Sequence, residues 1–433
     1  MTVRTELPAA ARAGRRKIVL ASAIGNFTEW FDSAAYATMS STIAAEFFPR
    51  HDQTAALLAT WAIFAGGFVA RPLGAAFFGH YGDRIGRNRM LALSVLVMSG
   101  ATFLMGVLPT YSAIGVAAPI LLFALRTAQG FSTGGEYTGA SAFIMEHAPD
   151  GRRARFASAV PATVGLASVA GSAVGVLLTS TLSAGALHTW GWRVPFLLAG
   201  PLGLIGLYLR RRVEDSPVFR ALVREESVPR KPVRDAVRSH KRQICTLFGY
   251  SITNAIAYYL MSSYLISYMA DELRYSRTQA LIASVVSMLC YSLACPLMAS
   301  ASDRFGRKRM LLAACVGFVV CTLPAFVLMR TGFAGALAGT VVLAVLVAVI
   351  GTSNVPAMVE MFPGPVRASG STIGYTAAYV LFGGTAPFAA TWLVSLTGSS
   401  LAPGCYLMAI AVVSALVVRF SFQETKNLDL ARK

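Results

Sequence analysis

A chain of 433 residues would ordinarily make two or three soluble domains, but 55% hydrophobic and only 13% charged residues leave more apolar surface than such domains can bury. Lipid is therefore the expected solvent. The net charge of +18 is spread loop by loop instead of gathered in one domain, which excludes a nucleic-acid-binding protein.

From the N-terminus, a polar basic stretch (Arg4, Arg12, Arg15, Arg16, Lys17) runs directly into an apolar segment of spanning length, so no cleavable leader is expected and that segment becomes the first span. Spans are predicted to begin near Ile18, Leu57, Met90, Gly115, Phe156, Trp192, Ile244, Ala280, Met310, Ala334, Ser369 and Leu401. The fold class is an all-α membrane protein with twelve transmembrane helices. With the N-terminus inside, 31 of the 38 Lys and Arg fall on one side, which places both termini in the cytoplasm by the positive-inside bias. The polar, Pro-containing stretch Arg210 to Arg242 divides the chain into halves of 1–212 and 243–433, with 213–242 as a cytoplasmic linker.

The first span carries Glu29 and Asp32, three residues apart, with Asn26, Ser33 and Tyr36 on the neighbouring face. Ionisable groups at bilayer depth cost roughly 2.5–3.5 kcal/mol each even on insertion scales, so each is expected to serve transport. A partly desolvated carboxylate near a second one suits proton coupling. The competing reading is a fixed ion pair with an arginine of another helix. Arg71, before Pro72 near the inner end of the second span, fits closure or snorkelling as well as binding.

Between the second and third spans, Gly82-Asp83-Arg84-Ile85-Gly86-Arg87-Asn88-Arg89 has a counterpart 220 residues later, Ser302-Asp303-Arg304-Phe305-Gly306-Arg307-Lys308-Arg309. A second echo sets Glu146, Pro149 and Arg153 against Glu360, Pro363 and Arg367. Two echoes at matching topological places indicate duplicated halves, with a solute site between them near the midplane. The Asp-Arg-x-Gly-Arg loop suits a cytoplasmic gate, because Gly permits a tight turn and Asp suits a helix N-terminus. Asp83 is expected at the start of the eleventh span, near Ala368 to Ser371, and Asp303 at the start of the fifth, near Phe156. For the arginines, solvated loop charge is an equally good account.

The fourth span adds Arg126, a bidentate holder for a solute carboxylate or a partner for Glu29 or Asp32, with Gln129, Gly130, Thr133 and Tyr137 on one stripe. Glu136 lies deeper, at the gate or on a proton path. The seventh span repeats Tyr250, Asn254 and Tyr258 at intervals of four, with Tyr259 adjacent, and the eleventh carries Tyr375 and Tyr379. Such tyrosines can cage a quaternary ammonium or simply pack. The six cysteines and five histidines lack ligand or disulfide spacing, so no metal or other cofactor is expected. No nucleophile–base cluster is visible either, so the chain is not expected to be an enzyme.

Several stretches together resemble the metabolite:proton symporter family of the major facilitator superfamily, and within it the proline/betaine transporters. They are Gly25-Asn26-Phe27-Thr28-Glu29-Trp30-Phe31-Asp32, Arg71-Pro72-Leu73-Gly74, the Gly-Asp-Arg-Ile-Gly-Arg loop, Ala128-Gln129-Gly130-Phe131-Ser132-Thr133-Gly134-Gly135-Glu136-Tyr137, Gly191-Trp192-Arg193-Val194-Pro195-Phe196 and Glu424-Thr425-Lys426. The resemblance implies a fold of two pseudo-symmetric six-helix bundles in a bacterial inner membrane. It also implies proton-coupled uptake of a small carboxylate-bearing solute by a chain working as a monomer. Departures touch the substrate: Ser33-Ala34-Ala35 follows Asp32 where the family has an aromatic, the fifth span lacks a carboxylate, and no room remains after Phe422 for a long coiled coil. The rival function is proton-driven efflux of a drug or metabolite, whose usual Gly-Pro-rich fifth-span signature is missing from Ala157 to Gly175.

Overall fold

The computed structural model describes residues 9–49, 53–149, 151–211, 224 and 232–430. Among them there is no strand, as expected of apolar runs whose backbone groups must be satisfied within each segment. Twelve long helices follow in order: α1 (Ala9–Phe47), α2 (Gln53–Ile85), α3 (Arg87–Val107), α4 (Ala117–Thr133 continuing as Glu136–Glu146), α5 (Arg153–Ala157 continuing as Ala159–Thr181) and α6 (Val194–Arg211). The second half comprises α7 (Lys241–Tyr259, then π-helical turns to Glu272), α8 (Arg277–Phe305), α9 (Arg307–Leu328), α10 (Phe333–Glu360), α11 (Arg367–Ala378, a π turn, then Ala386–Thr397) and α12 (Ala402–Phe420).

Ten of these stretches are long and apolar enough to cross a membrane. The other two are α1 and α4, which carry Glu29, Asp32, Arg126 and Glu136. The predicted starts fall inside, or within two residues of, the twelve helices, most of which begin earlier than hydropathy alone suggested.

Each half packs as its own bundle: α1 on α5, α2 on α4 and α3 on α6 in the first, and α8 on α10, α9 on α10 and α12, α7 on α11 and α12 in the second. The halves meet chiefly along α5 with α8 and α2 with α11, and also where α4 meets α10 and α11. Glycine makes the α2–α4 packing intimate. A Cβ on Gly130 would lie 1.9 Å from the Gly67 carbonyl oxygen, and one on Gly134 would lie 2.2 Å from that of Arg71, so the two backbones touch directly. That contact fixes Arg71 and Arg126 on neighbouring walls.

The turns of the two repeat loops match. Gly86 has φ 109° and Gly306 φ 97°, left-handed values open to glycine, and each separates two long helices. These turns, the starts of α5 and α11, the short helix Pro232–Ser239 and the segment after α12 all gather at one end of the bundle, here the basic end. The opposite end is the distal end. Of the linker expected at 213–242, residues 213–223 and 225–231 lie outside the described residues, and α7 already begins at Lys241.

Candidate functional site

Halfway along the bundle, α1, α2 and α4 bring four ionisable groups together. Asp32 accepts a bond from the Arg126 guanidinium at 2.7 Å, and Gln129 bonds to both partners and donates to Thr102 at 2.8 Å. The Arg126 guanidinium also lies against a pair of adjacent rings, 4.7 Å from the Tyr36 ring centroid and 4.5 Å from that of Phe64. Tyr36 is fixed in turn by its hydroxyl, which donates to the Thr60 carbonyl at 3.0 Å. The bonds to Asp32 and Gln129 are both made by Arg126 Nη1, and Asp32 Oδ1 is left buried without a hydrogen-bond partner.

The second pair is looser. Arg71 reaches Glu29 at 3.5 Å and lies 4.2 Å over the Phe68 ring. Glu29 Oε2 and Arg71 Nε are both buried without a hydrogen-bond partner. Unsatisfied charged atoms in a dry interior are costly, so their presence marks a place for something else to bind. Arg71, expected at the gate, therefore stands in the central layer.

Facing this pair across the seam is an aromatic wall from the second half. Trp30 of α1 meets Tyr258 edge-on at 5.0 Å and Tyr259 at 6.3 Å, and Phe68 meets Tyr259 at 6.1 Å. The Trp30 indole nitrogen and the Tyr258 hydroxyl are buried without partners as well. The wall continues through Tyr291 and Tyr379, and Asn254 donates to the Tyr379 hydroxyl at 2.8 Å. The spans of the second half carry no Asp, Glu, Lys or Arg at mid-helix: none occurs in 278–302, 331–359 or 368–418. Charge is thus supplied by one half and aromatic surface by the other.

Asn26, Glu136 and Tyr137, expected to serve solute or protons, are elsewhere. Asn26 ties α1 to α5 through the Val160 carbonyl at 2.8 Å and Thr163 at 3.1 Å. Glu136 is buried against Arg210 and Ser94 inside the first bundle, a pairing that holds α3, α4 and α6 together. Tyr137 is not beside the charge pairs but stacks on Tyr375 lower in the seam.

At the basic end, Asp303 of α8 accepts bonds from the backbone N–H groups of Ala154 and Arg155, at 3.0 and 2.9 Å, and so caps the start of α5 in the other half. The side chains of its counterparts Asp83 and Arg87 lie outside the described residues. Arg307 binds Asp303 at 3.0 Å and Glu360 at 2.9 and 3.0 Å. Among the described residues two ion pairs cross between halves, Glu146–Arg367 at 2.6 Å and Arg153–Glu360 at 3.9 Å. Arg84, 3.4 Å from His80, and Arg304, over the Phe305 ring, are exposed and take no part in these pairs.

The segment after α12 joins this network, which the sequence did not signal beyond Glu424-Thr425-Lys426. Glu424 caps α9 through the Arg307 and Lys308 N–H groups at 2.9 and 3.1 Å, and Thr425 donates to Glu360 at 2.7 Å. The Leu428 carbonyl accepts from Arg153 of the first half at 2.6 Å, and the Leu430 carbonyl accepts from Arg367 of the second at 2.5 Å. One strand of backbone is thereby fastened to both bundles.

Residues 17–236 match the family described as "Sugar (and other) transporter", and 245–431 match "Major Facilitator Superfamily". The chain belongs to the major facilitator superfamily. It is 36% identical to the proline/betaine transporter of Escherichia coli K12 over 96% of this chain and 85% of that one. It is likewise 36% identical to the glycine betaine/proline/ectoine/pipecolic acid transporter OusA of Dickeya dadantii over 96% and 84%. A putative proline/betaine transporter of Staphylococcus aureus is 34% identical over 96% and 90%. Among solved structures, the proton:xylose symporter XylE bound to 6-bromo-6-deoxy-D-glucose superposes with TM-score 0.83 at 16% identity, covering 97% of this chain and 98% of that one. XylE in its inward-open conformation gives 0.67 at 18% identity, covering 96% and 98%. This major facilitator protein is therefore a membrane-embedded secondary transporter and not an enzyme.

Proposed function

We propose that this transporter takes up a small zwitterionic carboxylate, proline or a betaine, together with protons, across a bacterial inner membrane as a monomer with both termini cytoplasmic. The names of the Escherichia coli and Dickeya relatives describe such solutes for those proteins. The observation that carries the reading is the loose Glu29–Arg71 pair, each member with an unpartnered buried atom, flanked by Trp30 and facing Tyr258 and Tyr259 across the seam.

Protonation of Glu29 neutralises Arg71's only charged partner among the described residues, freeing a planar guanidinium for a solute carboxylate. The aromatic faces suit the cationic end, since a quaternary ammonium donates no hydrogen bond and is held by ring quadrupoles. Arg126, held by Asp32, Gln129 and two rings, then shapes the site without binding solute. The second half's lack of mid-helix charge supports a solute of zero net charge over a citrate-like anion.

The test is accumulation of labelled proline, betaine, citrate and shikimate in a transporter-deficient cell, with and without an uncoupler. Uptake of the first two that collapses with the uncoupler supports the reading. Indifference to the uncoupler, or protons leaving proteoliposomes as solute enters, removes symport and favours the efflux antiporter. Arg71→Ala is expected to raise the betaine KM at least tenfold, and an unchanged KM removes Arg71 from the site.

A further inference from the structure

Between the central charge layer and the ion pairs of the basic end, the halves touch through three tyrosine rings. Tyr137 of α4 stacks on Tyr375 of α11 with centroids 4.9 Å apart and planes 6° from parallel. Tyr375 stacks in turn on Tyr379 at 4.2 Å and 26°. Tyr137 lies eleven residues beyond Arg126 and nine before Glu146, roughly 13–16 Å from each at about 1.5 Å per residue.

The seam around the rings is closed by polar bonds between the same two helices. Thr138 and Thr372 hydroxyls are 2.6 Å apart, and Thr376 donates to the Gly134 carbonyl at 3.3 Å. Tyr379 is held by Asn254 within its own half. Two of the rings thus belong to the second bundle and one to the first, so separation of α4 from α11 parts the stack at a single plane, Tyr137 from Tyr375.

We propose that the Tyr137–Tyr375–Tyr379 stack is the water- and proton-tight seal between the central chamber and the basic face. Flat rings at stacking distance leave no room for a water file, whereas the ion pairs nearer the basic face are polar groups that water can solvate. A transporter that couples solute to protons needs such a dry plug, because single-file water carries protons wherever solute is barred. The role rests on the seam and not on which solute is carried.

The experiment measures proton leak in solute-free proteoliposomes holding a pH dye, with a valinomycin-clamped potassium potential as the driving force. Tyr137→Ala and Tyr375→Ala are expected to leak at least tenfold faster than the natural protein, while Tyr137→Phe and Tyr375→Phe, which keep the ring, stay within twofold. Where an alanine variant does not accumulate, the leucine substitution at the same position gives a smaller rise in the same direction. Folded alanine or leucine variants that leak no faster than the natural protein overturn the proposal. So do phenylalanine variants that leak as fast as alanine, since the hydroxyls would then be what matters. Because no solute is present, failure of proline or betaine uptake leaves this result standing.

Discussion

Removing the Asp303 carboxylate tests whether the basic end is a gate. In Asp303→Ala two backbone N–H groups at the start of α5, now bonded at 3.0 and 2.9 Å, lose their cap. Arg307 keeps both bonds to Glu360, so the substitution does not strand a buried guanidinium. A lost N-cap costs about 1–2 kcal/mol. The cap is made across the halves and exists only while the basic end is shut, so that cost falls on the closed state and shifts the equilibrium towards opening about 5- to 30-fold. Hydrogen–deuterium exchange reads this at a distance: amides of 369–376, on the far side of the seam from Asp303, should exchange faster by that factor. Asp235→Ala, an exposed carboxylate on the short helix at the same end, should leave them unchanged. If exchange rises only at 154–157 and 369–376 is unaffected, Asp303 serves its own helix contact and the gate argument fails.

Other outcomes follow from the same geometry. Glu29→Gln should abolish accumulation against a gradient while exchange of labelled for unlabelled solute persists. Asp32→Asn leaves Arg126 buried without its counter-charge and should destabilise the protein by about 3–5 kcal/mol, seen as a lower melting temperature; equal behaviour of the two variants in both assays would refute the division of roles. Gly306→Ala meets a left-handed φ of 97° and sets a Cβ 2.5 Å from Glu424 Oε2, so a loss on the order of 1–3 kcal/mol is expected in thermal unfolding. Gly82→Ala, with nothing within 4 Å of its Cβ, should cost no stability. Truncation after Gln423 removes the carbonyls that Arg153 and Arg367 hold and should speed exchange at the starts of both α5 and α11, an effect absent if the tail merely rests on the surface.

Hydropathy made the helices legible because a span must be both long and apolar, and the repeat made the two halves legible because a glycine turn and its flanking charges leave the same letters twice. Ionisable residues within spans pointed to Glu29, Asp32 and Arg126 for the same reason: their cost makes them conspicuous. What the sequence did not carry was partner choice. Arg71 and Arg126 are chemically identical, and only the direct α2–α4 backbone contact decides that one is engaged by Asp32 and Gln129 while the other meets Glu29 loosely. Trp30 passed unremarked between two acids, although its ring forms the meeting point with Tyr258 and Tyr259. The tail was illegible because its bonds run through backbone carbonyls, which every residue possesses.

Sorting the polar contacts by whether they cross between halves separates two kinds of work. The pairs of the central layer, Asp32–Arg126 and Glu29–Arg71, and the Glu136–Arg210 pair below them lie within the first bundle and survive any rigid rocking of one half on the other. Glu146–Arg367, Arg153–Glu360, the Asp303 cap and the Arg153–Leu428 bond all cross, and each must break when the basic end opens. The crossing pairs are buried while the basic end is shut, but the opening that breaks them also admits water to replace each partner, whereas breaking a central pair would leave charge in a dry interior. The cycle is therefore cheapest if rocking spends its energy at the periphery and the central layer changes only by a proton. On that arrangement the looser central pair is the one able to answer a proton without dismantling the bundle, which places the coupling at Glu29 and not at Asp32.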